Sequence, residues 1–217
     1  MRQPTDTNTA SQPDPVSHPR FARYYERASS GDDGETRFML PLRREVAGLA
    51  RGLVLEVGAG NGLNFAYYDP ARVERVEATE PDATMLGYAR ERAASAPAPI
   101  HLTQATAERL PFADETFDSA VATLVFCSVG DPLRGLREAR RVLKPGGALL
   151  LVEHVRSRNP ILGAIQTVAT PLTRRLIGNC HWNRDTAQTV SDAGFTIEQR
   201  RDLSWSLMPF VVIHAVK

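Results

Sequence analysis

Short apolar runs alternate with turn-forming clusters along this chain, each run having the length of a strand or the spacing of a helix face. Leu53, Val54, Leu55 and Val57 form one such run, interrupted near its carboxyl end by Glu56. This is the pattern of a parallel strand covered on both faces. The segment "VERVEATEPD" predicts a second strand ending at Glu80, "IHLTQA" a third, and Asp118 to Phe126 a fourth and central one, apolar apart from Ser119 and Thr123 at its interior. "ALLLVEHV" predicts a fifth, entered through Pro145, Gly146 and Gly147, and "FTIEQRRDL" and "FVVIHAVK" close the chain around "SWSLMP". Helical spacing appears between them. Phe21, Tyr24 and Tyr25 sit at i, i+3 and i+4 on one face. A second helix is expected from near Pro41 with Leu42, Val46 and Leu49 inward, and "LNFAYY" a short one stopped at Pro70. Asp82 caps a helix to about Ala94, and Asp131 with Pro132 opens another, with Leu133, Leu136 and Leu143 on its core face and Arg134, Arg137 and Arg141 on a solvated one. Arg184 to Ala193 completes the set, ended by Gly194.

A length of 217 residues with 42% hydrophobic content suits one domain with a sizeable core. With 26 basic and 25 acidic residues the net charge is only +1, which offers no general attraction to nucleic acid or anionic lipid and points to a small-molecule partner. Cys127 and Cys180 fall in neither a metal-type spacing nor a short disulfide framework, so no metal site and a reducing, cytoplasmic setting are expected. Residues 1–19 carry Pro4, Pro13, Pro15 and Pro19 among polar neighbours and read as a disordered tail without the apolar core of a signal peptide. No transmembrane segment is expected anywhere. The apolar stretch inside 156–183, "NPILGAIQTVATPLTRRLIG", reads either as a substrate cover or as a membrane-surface helix pair, so peripheral membrane contact stays open.

After the first strand, Gly58, Ala59, Gly60, Asn61 and Gly62 supply small side chains and permissive dihedrals where the backbone turns sharply against a ligand. The spacing is GxGxG. Leu63 stands where a dinucleotide fingerprint has its third glycine, and no Gly-Lys-Ser/Thr ending marks an ATP loop, so a pyrophosphate is disfavoured. Glu80 stands at the end of the next strand, where a carboxylate accepts both hydroxyls of a ribose. Ribose plus a cationic amino acid fits this loop better than a diphosphate. An NAD(P)-dependent reductase and a non-catalytic cofactor-binding module are the rival readings.

"LEVGAGNG", "EATEPD", "AERLPFADETFDSAVATLVFCSV" and "REARRVLKPGGALLLVEHV", in that order from Val54 to Val155, resemble the motif series of class I S-adenosylmethionine-dependent methyltransferases of the type 11 group. "TLVFCSV", "EHV", "GNCHWNRDT" and "HAVK" extend the resemblance, towards the methyltransferase-like thiol S-methyltransferases, almost to Lys217. Quinone and phospholipid methyltransferases share the middle motifs. The resemblance implies an α/β fold, a Rossmann-like doubly wound seven-stranded sheet, mostly parallel with an antiparallel last strand. It places a methyltransferase domain over 20–217, with lid helices at 20–50 and a substrate-cover insertion at 156–183. The tail departs from the thiol methyltransferases, which carry a hydrophobic amino-terminal anchor.

The implied cofactor is S-adenosyl-L-methionine, leaving as S-adenosyl-L-homocysteine. The resemblance puts Glu56 near its amino group or in the ordering of the loop, and Gly58, Ala59, Gly60, Asn61 and Gly62 along its amino-acid part. Glu80 and Pro81 lie at the ribose, with Met85, Thr106, Ala107 and Glu108 at the adenine. Thr123 and Leu124 lie near the methyl. Tyr24, Tyr25, Phe126, Cys127, His154 and His181 are the substrate-side candidates. His154 and Cys127 are the candidate catalytic residues, although an SN2 transfer from a sulfonium can proceed with no dedicated acid or base. The expected acceptor is a thiol, with phospholipid nitrogen and quinone carbon or oxygen as alternatives; the Asp-Pro-Pro-Tyr motif of nucleobase methylation is absent.

Overall fold

The apolar runs become the strands of one sheet: β1 (Gly52–Val57), β2 (Val73–Thr79), β3 (Ile100–Thr103), β4 (Phe117–Thr123), β5 (Leu143–His154), β6 (Thr196–Trp205) and β7 (Met208–Val216). The computed structural model describes residues 18–29 and 34–217. The expected disordered tail falls, up to residue 17, outside the described residues. The strand order is β3-β2-β1-β4-β5-β7-β6, and β7 runs antiparallel to both of its neighbours while the others pair in parallel. This is the expected doubly wound arrangement with an antiparallel final strand.

Strand periodicity sends alternate side chains to opposite faces. Leu55, Ala120, Leu149, Leu151 and Ile213 pack on one side with α4 (Pro132–Val142) and α6 (Thr186–Asp192), whose Leu136 and Val190 are wholly buried. Val54, Val76, Val121, Leu150 and Val152 pack on the other, beneath Met39, Leu42 and Val46 of α2 (Gly34–Leu49) and Ala89 of α3 (Ala83–Ala93). Burial on both faces is why these strands read as nearly unbroken apolar runs.

Three elements differ from expectation. α2 begins at Gly34 and runs through Pro41, and Leu49 is 45% exposed instead of inward. An interior proline costs about 3 kcal/mol, and burying Met39 and Leu42 on either side of it returns about 1.5–3 kcal/mol each, so packing carries the helix past the breaker. The helix expected from "LNFAYY" is a single 3₁₀ turn, Phe65–Tyr67, because Tyr68 leaves it in extended conformation with its side chain buried. Its amino end therefore offers no helix dipole to a carboxylate. β4 stops at Thr123, and Leu124 reverses the chain with φ +59°.

Candidate functional site

β1 delivers the glycine loop to the carboxyl edge of the sheet between β1 and β4, where the winding reverses and open α/β sheets bind ligands. Gly58 and Gly62 hold φ of +62° and +84°. A Cβ would lie 2.7 Å from a Val125 methyl at the first and 2.6 Å from a Phe65 ring carbon at the second, so only glycine fits. At Gly60 it would meet nothing within 4 Å, which leaves the outer face of the loop open to a ligand.

Glu80, just past β2, ties this loop down: Oε2 accepts from the Gly60 amide at 2.9 Å and Oε1 from the Asp82 amide at 2.9 Å. Each oxygen keeps a lone pair, so two ribose hydroxyls find acceptors beside an open loop, and the residues fit the S-adenosylmethionine that the motifs imply. Burial pushes the Glu80 carboxyl up to about 7. Asp82 caps α3 by accepting from Thr84 and Met85 amides, and also accepts from the His18 amide at 2.6 Å, which brings the start of α1 (Pro19–Ser29) to the same corner. Met85 is buried there, and the half-buried Pro81 accepts from Gln104 through its carbonyl.

Behind the loop lies a buried polar network. Glu56 is 1% exposed; Oε1 accepts from Asn64 Nδ2 at 3.0 Å and Oε2 from the Tyr68 hydroxyl at 2.7 Å. Asn64 also donates to Thr123 Oγ1 at 3.1 Å and accepts from Arg43, which in turn donates to the Tyr25 hydroxyl. Arg43, Asn64 and Tyr68 escaped the sequence reading. A lone arginine within the apolar face of a helix was the available signal for Arg43. Burial raises the Glu56 carboxyl to about 7 against the lowering by Tyr68, Asn64 and Arg43. In the unfolded chain it titrates near 4.5, so the folded state holds the extra proton in between and its stability falls as pH rises from about 4.5 to about 7. Urea unfolding at pH 5 and pH 7.5 is expected to register this as a loss of up to about 3 kcal/mol from Glu56. Glu56→Gln removes that share, and an unchanged pH slope in the variant excludes the assignment.

α1 lies over the loop. Asn61 Nδ2 donates to Glu26 at 2.7 Å and to Ser29 at 2.9 Å, while Arg92 donates to Glu26 and to the Asn61 carbonyl. Tyr25 joins the buried network, but Tyr24 is 69% exposed and points away, because the face of α1 that packs is set by Ala22 and Phe21, the latter against Gly178. Tyr24 thus lies outside this network.

On the acceptor side a residue with no assigned role organises the backbone. Glu153, wholly buried at the end of β5, accepts from the amides of Val125, Phe126 and Cys127 at 2.7, 2.8 and 3.1 Å. Arg184 donates to the carbonyls of Phe126 and Val129, each at 2.6 Å. This turn buries Phe126 in the core against α4, with a Gly135 Cβ position 3.3 Å from its ring, so it does not line a substrate space. Ala107 is buried in the same cluster, and Glu108 accepts from the Asp131 amide at 3.1 Å, so both serve the packing of α4; Thr106 beside them is half-buried. His181 turns Nδ1 to the Cys127 carbonyl at 3.2 Å, and burial beside Arg184 lowers its pKa. His154 faces Cys180, Nδ1 to Sγ 3.7 Å, and stacks on Phe210 with ring centroids 4.5 Å apart. Cys127 is 1% exposed; contact with Cys180 and burial push its thiol well above the usual range, which makes it a poor nucleophile by itself.

The insertion is one helix, α5 (Pro160–Leu176), not a pair, capped by Asn159. Gly163, Thr170 and Thr173 face the protein, whereas Ile161, Ile165, Val168, Leu172 and Leu176 form an outward stripe, 58–81% exposed.

Residues 55–151 match the family model described as a methyltransferase domain. Thiol S-methyltransferase TMT1B of Rattus norvegicus is 33% identical over 164 residues, which cover 72% of this chain and 64% of that enzyme, so the match spans less than two thirds of its length. Thiol S-methyltransferase TMT1A of Homo sapiens is 33% identical over 176 residues, 76% of this chain and 70% of that enzyme. Among solved structures, an S-adenosylmethionine-dependent methyltransferase from Thermotoga maritima is 28% identical, with a TM-score of 0.65, covering 92% of this chain and 97% of that one.

Proposed function

The chain belongs to the S-adenosylmethionine-dependent methyltransferases of the methyltransferase-domain family, and from that premise we propose that it methylates a small thiol by in-line displacement. Glu80 carries the reading of the donor end: a buried carboxylate that grips the glycine loop and still offers two oxygens at its rim. Kinship with two thiol S-methyltransferases supports the acceptor class. The bound cofactor supplies an electrophilic methyl on a sulfonium, so this chain's residues have to position and to exclude water. Glu80 and the loop amides fix the ribose and amino-acid parts. Thr123, locked by Asn64, and the reversed Leu124 form the wall nearest the acceptor. α1 and α5 close over it. An unperturbed thiol near pKa 8.5 is about 3% thiolate at pH 7, so a modest bias towards the thiolate is sufficient chemistry. A reducing, cytoplasmic setting is part of this proposal, and two buried free cysteines support it.

The test is S-adenosylhomocysteine release by the purified protein across alkyl and aryl thiols, phenols, demethylquinols and phosphatidylethanolamine. Turnover on thiols alone is the expected result. Turnover confined to quinols or to the lipid keeps the methyltransferase and replaces the acceptor.

The outward stripe of α5, with Arg174 and Arg175 in its last turn, favours acceptors delivered from a lipid surface. Among the described residues no helix is long and apolar enough to cross a membrane, and the contact proposed for this stripe is peripheral. Co-sedimentation with vesicles containing phosphatidylserine is expected to fall about tenfold in Val168→Glu, the most exposed stripe position, because a charge replaces inserted apolar area. Equal sedimentation of variant and parent would remove this role.

A further inference from the structure

Two thiols and an imidazole from three separate segments meet at the end of β5. Cys127 comes from the turn after β4, His154 from the last position of β5, and Cys180 from the turn after α5. Their ligand atoms all lie within 4.8 Å of one another, and Cys180 Sγ is 3.7 Å from His154 Nδ1. Tetrahedral zinc, with bonds of about 2.3 Å to sulfur and 2.0–2.1 Å to nitrogen, separates such a pair by about 3.5 Å. This pair needs only a small contraction, and the other spacings, at most 4.8 Å, close by about 1 Å or less.

Backbone hydrogen bonds and a ring contact frame the three donors. Glu153 holds the Cys127 amide, His181 donates its own amide to the Cys127 carbonyl at 2.8 Å, and Thr173 Oγ1 donates to the Cys180 carbonyl at 2.8 Å. The His154 ring is fixed against Phe210, whose strand pairs with β5 at that position. Glu153, the nearby carboxylate, is turned to three amides and is not a donor here. Two sulfurs and an imidazole, without a hard oxygen, select a thiophilic ion over magnesium or calcium.

We propose that Cys127, His154 and Cys180 bind one Zn2+ ion. Each cysteine gives its proton to the medium as its sulfur takes the ion, and no electron moves. The ion joins the insertion, through Cys180, to the ends of β4 and β5. Three protein donors leave one tetrahedral position, the arrangement of zinc sites that admit an outside ligand. On the thiol reading above, on which this last assignment rests, the matching ligand is the acceptor's sulfur.

The experiment uses the full chain, reduced, stripped with a chelator, and titrated first with Co2+ and then with Zn2+. The expected result is one Co2+ per chain, with thiolate-to-cobalt absorption in the near ultraviolet and a visible band of tetrahedral intensity, both erased by Zn2+. Cys180→Ser and Cys127→Ser, with circular dichroism and S-adenosylhomocysteine binding checked to establish folding, are expected to lose that absorption and to bind at least about tenfold more weakly. Absence of thiolate-to-cobalt absorption in the fully reduced protein overturns the site, as would uptake unchanged in both serine variants. Cobalt absorption that persists in protein silent on every thiol supports the site and refutes only the acceptor reading.

Discussion

Glu80→Ala is expected to weaken S-adenosylhomocysteine binding by about 10- to 100-fold, roughly 1.4–3 kcal/mol. The side chain has two jobs, and alanine ends both. It holds the Gly60 and Asp82 amides at 2.9 Å each, which shapes the loop, and its remaining lone pairs are the acceptors proposed for ribose. Glu80→Gln separates them: one oxygen still accepts, but the new NH2 group meets either an amide or a hydroxyl as a second donor, so an intermediate loss is expected. Protonation adds a further signature. Burial raises this carboxyl to about 7, and the ionised form is the better acceptor, so affinity is expected to fall about tenfold from pH 8 to pH 6. The Gln variant removes that dependence. Calorimetric titration at both pH values checks each step, and binding by Glu80→Ala within twofold of the parent would remove Glu80 from the ribose site.

Glu153→Ala is expected to be the most destabilising single change, by about 3–5 kcal/mol. Three amides, Val125, Phe126 and Cys127, lose their acceptor at a position with no solvent access. A cavity the size of a carboxylate adds to the loss. Glu153→Gln should cost less, about 1–3 kcal/mol, because its single oxygen can keep the two bonds that Oε1 makes, while its NH2 group opposes the Cys127 amide. Urea unfolding gives the stabilities, and the rate at which a thiol reagent modifies Cys127 reads the turn itself. A midpoint unchanged in Glu153→Ala would mean that Arg184, through the Phe126 and Val129 carbonyls, holds the turn alone.

The fold was legible wherever the signal is local. Apolar runs of strand length, the Asp82 and Asp131 caps and the Gly194 stop describe a few neighbouring residues each, and the observed elements carry them. The pairing of the glycine loop with Glu80 was legible for the same reason, since the two follow each other across one strand-loop-strand unit. Local signals also misled: Pro41 reads as a helix start, yet burial on both sides carries α2 through it. Phe126 reads as continuing β4 towards the ligand. The reversal at Leu124 turns it into the core.

The sequence by itself determined the layered α/β sheet, the glycine loop and the carboxylate that answers it, because hydrophobic period, caps and turn chemistry act over a few residues and need no distant partner. Only the tertiary structure decided the rest. Arg43 meets Asn64 across 21 residues, Asn64 meets Thr123 across 59, and Cys180 meets His154 across 26. A buried polar group is satisfied by whichever partner packing brings within about 3 Å, and no spacing along the chain encodes that partner. For this reason the network behind the loop, the amide cradle of Glu153 and the joining of two distant cysteines to one histidine become visible only once the sheet has closed.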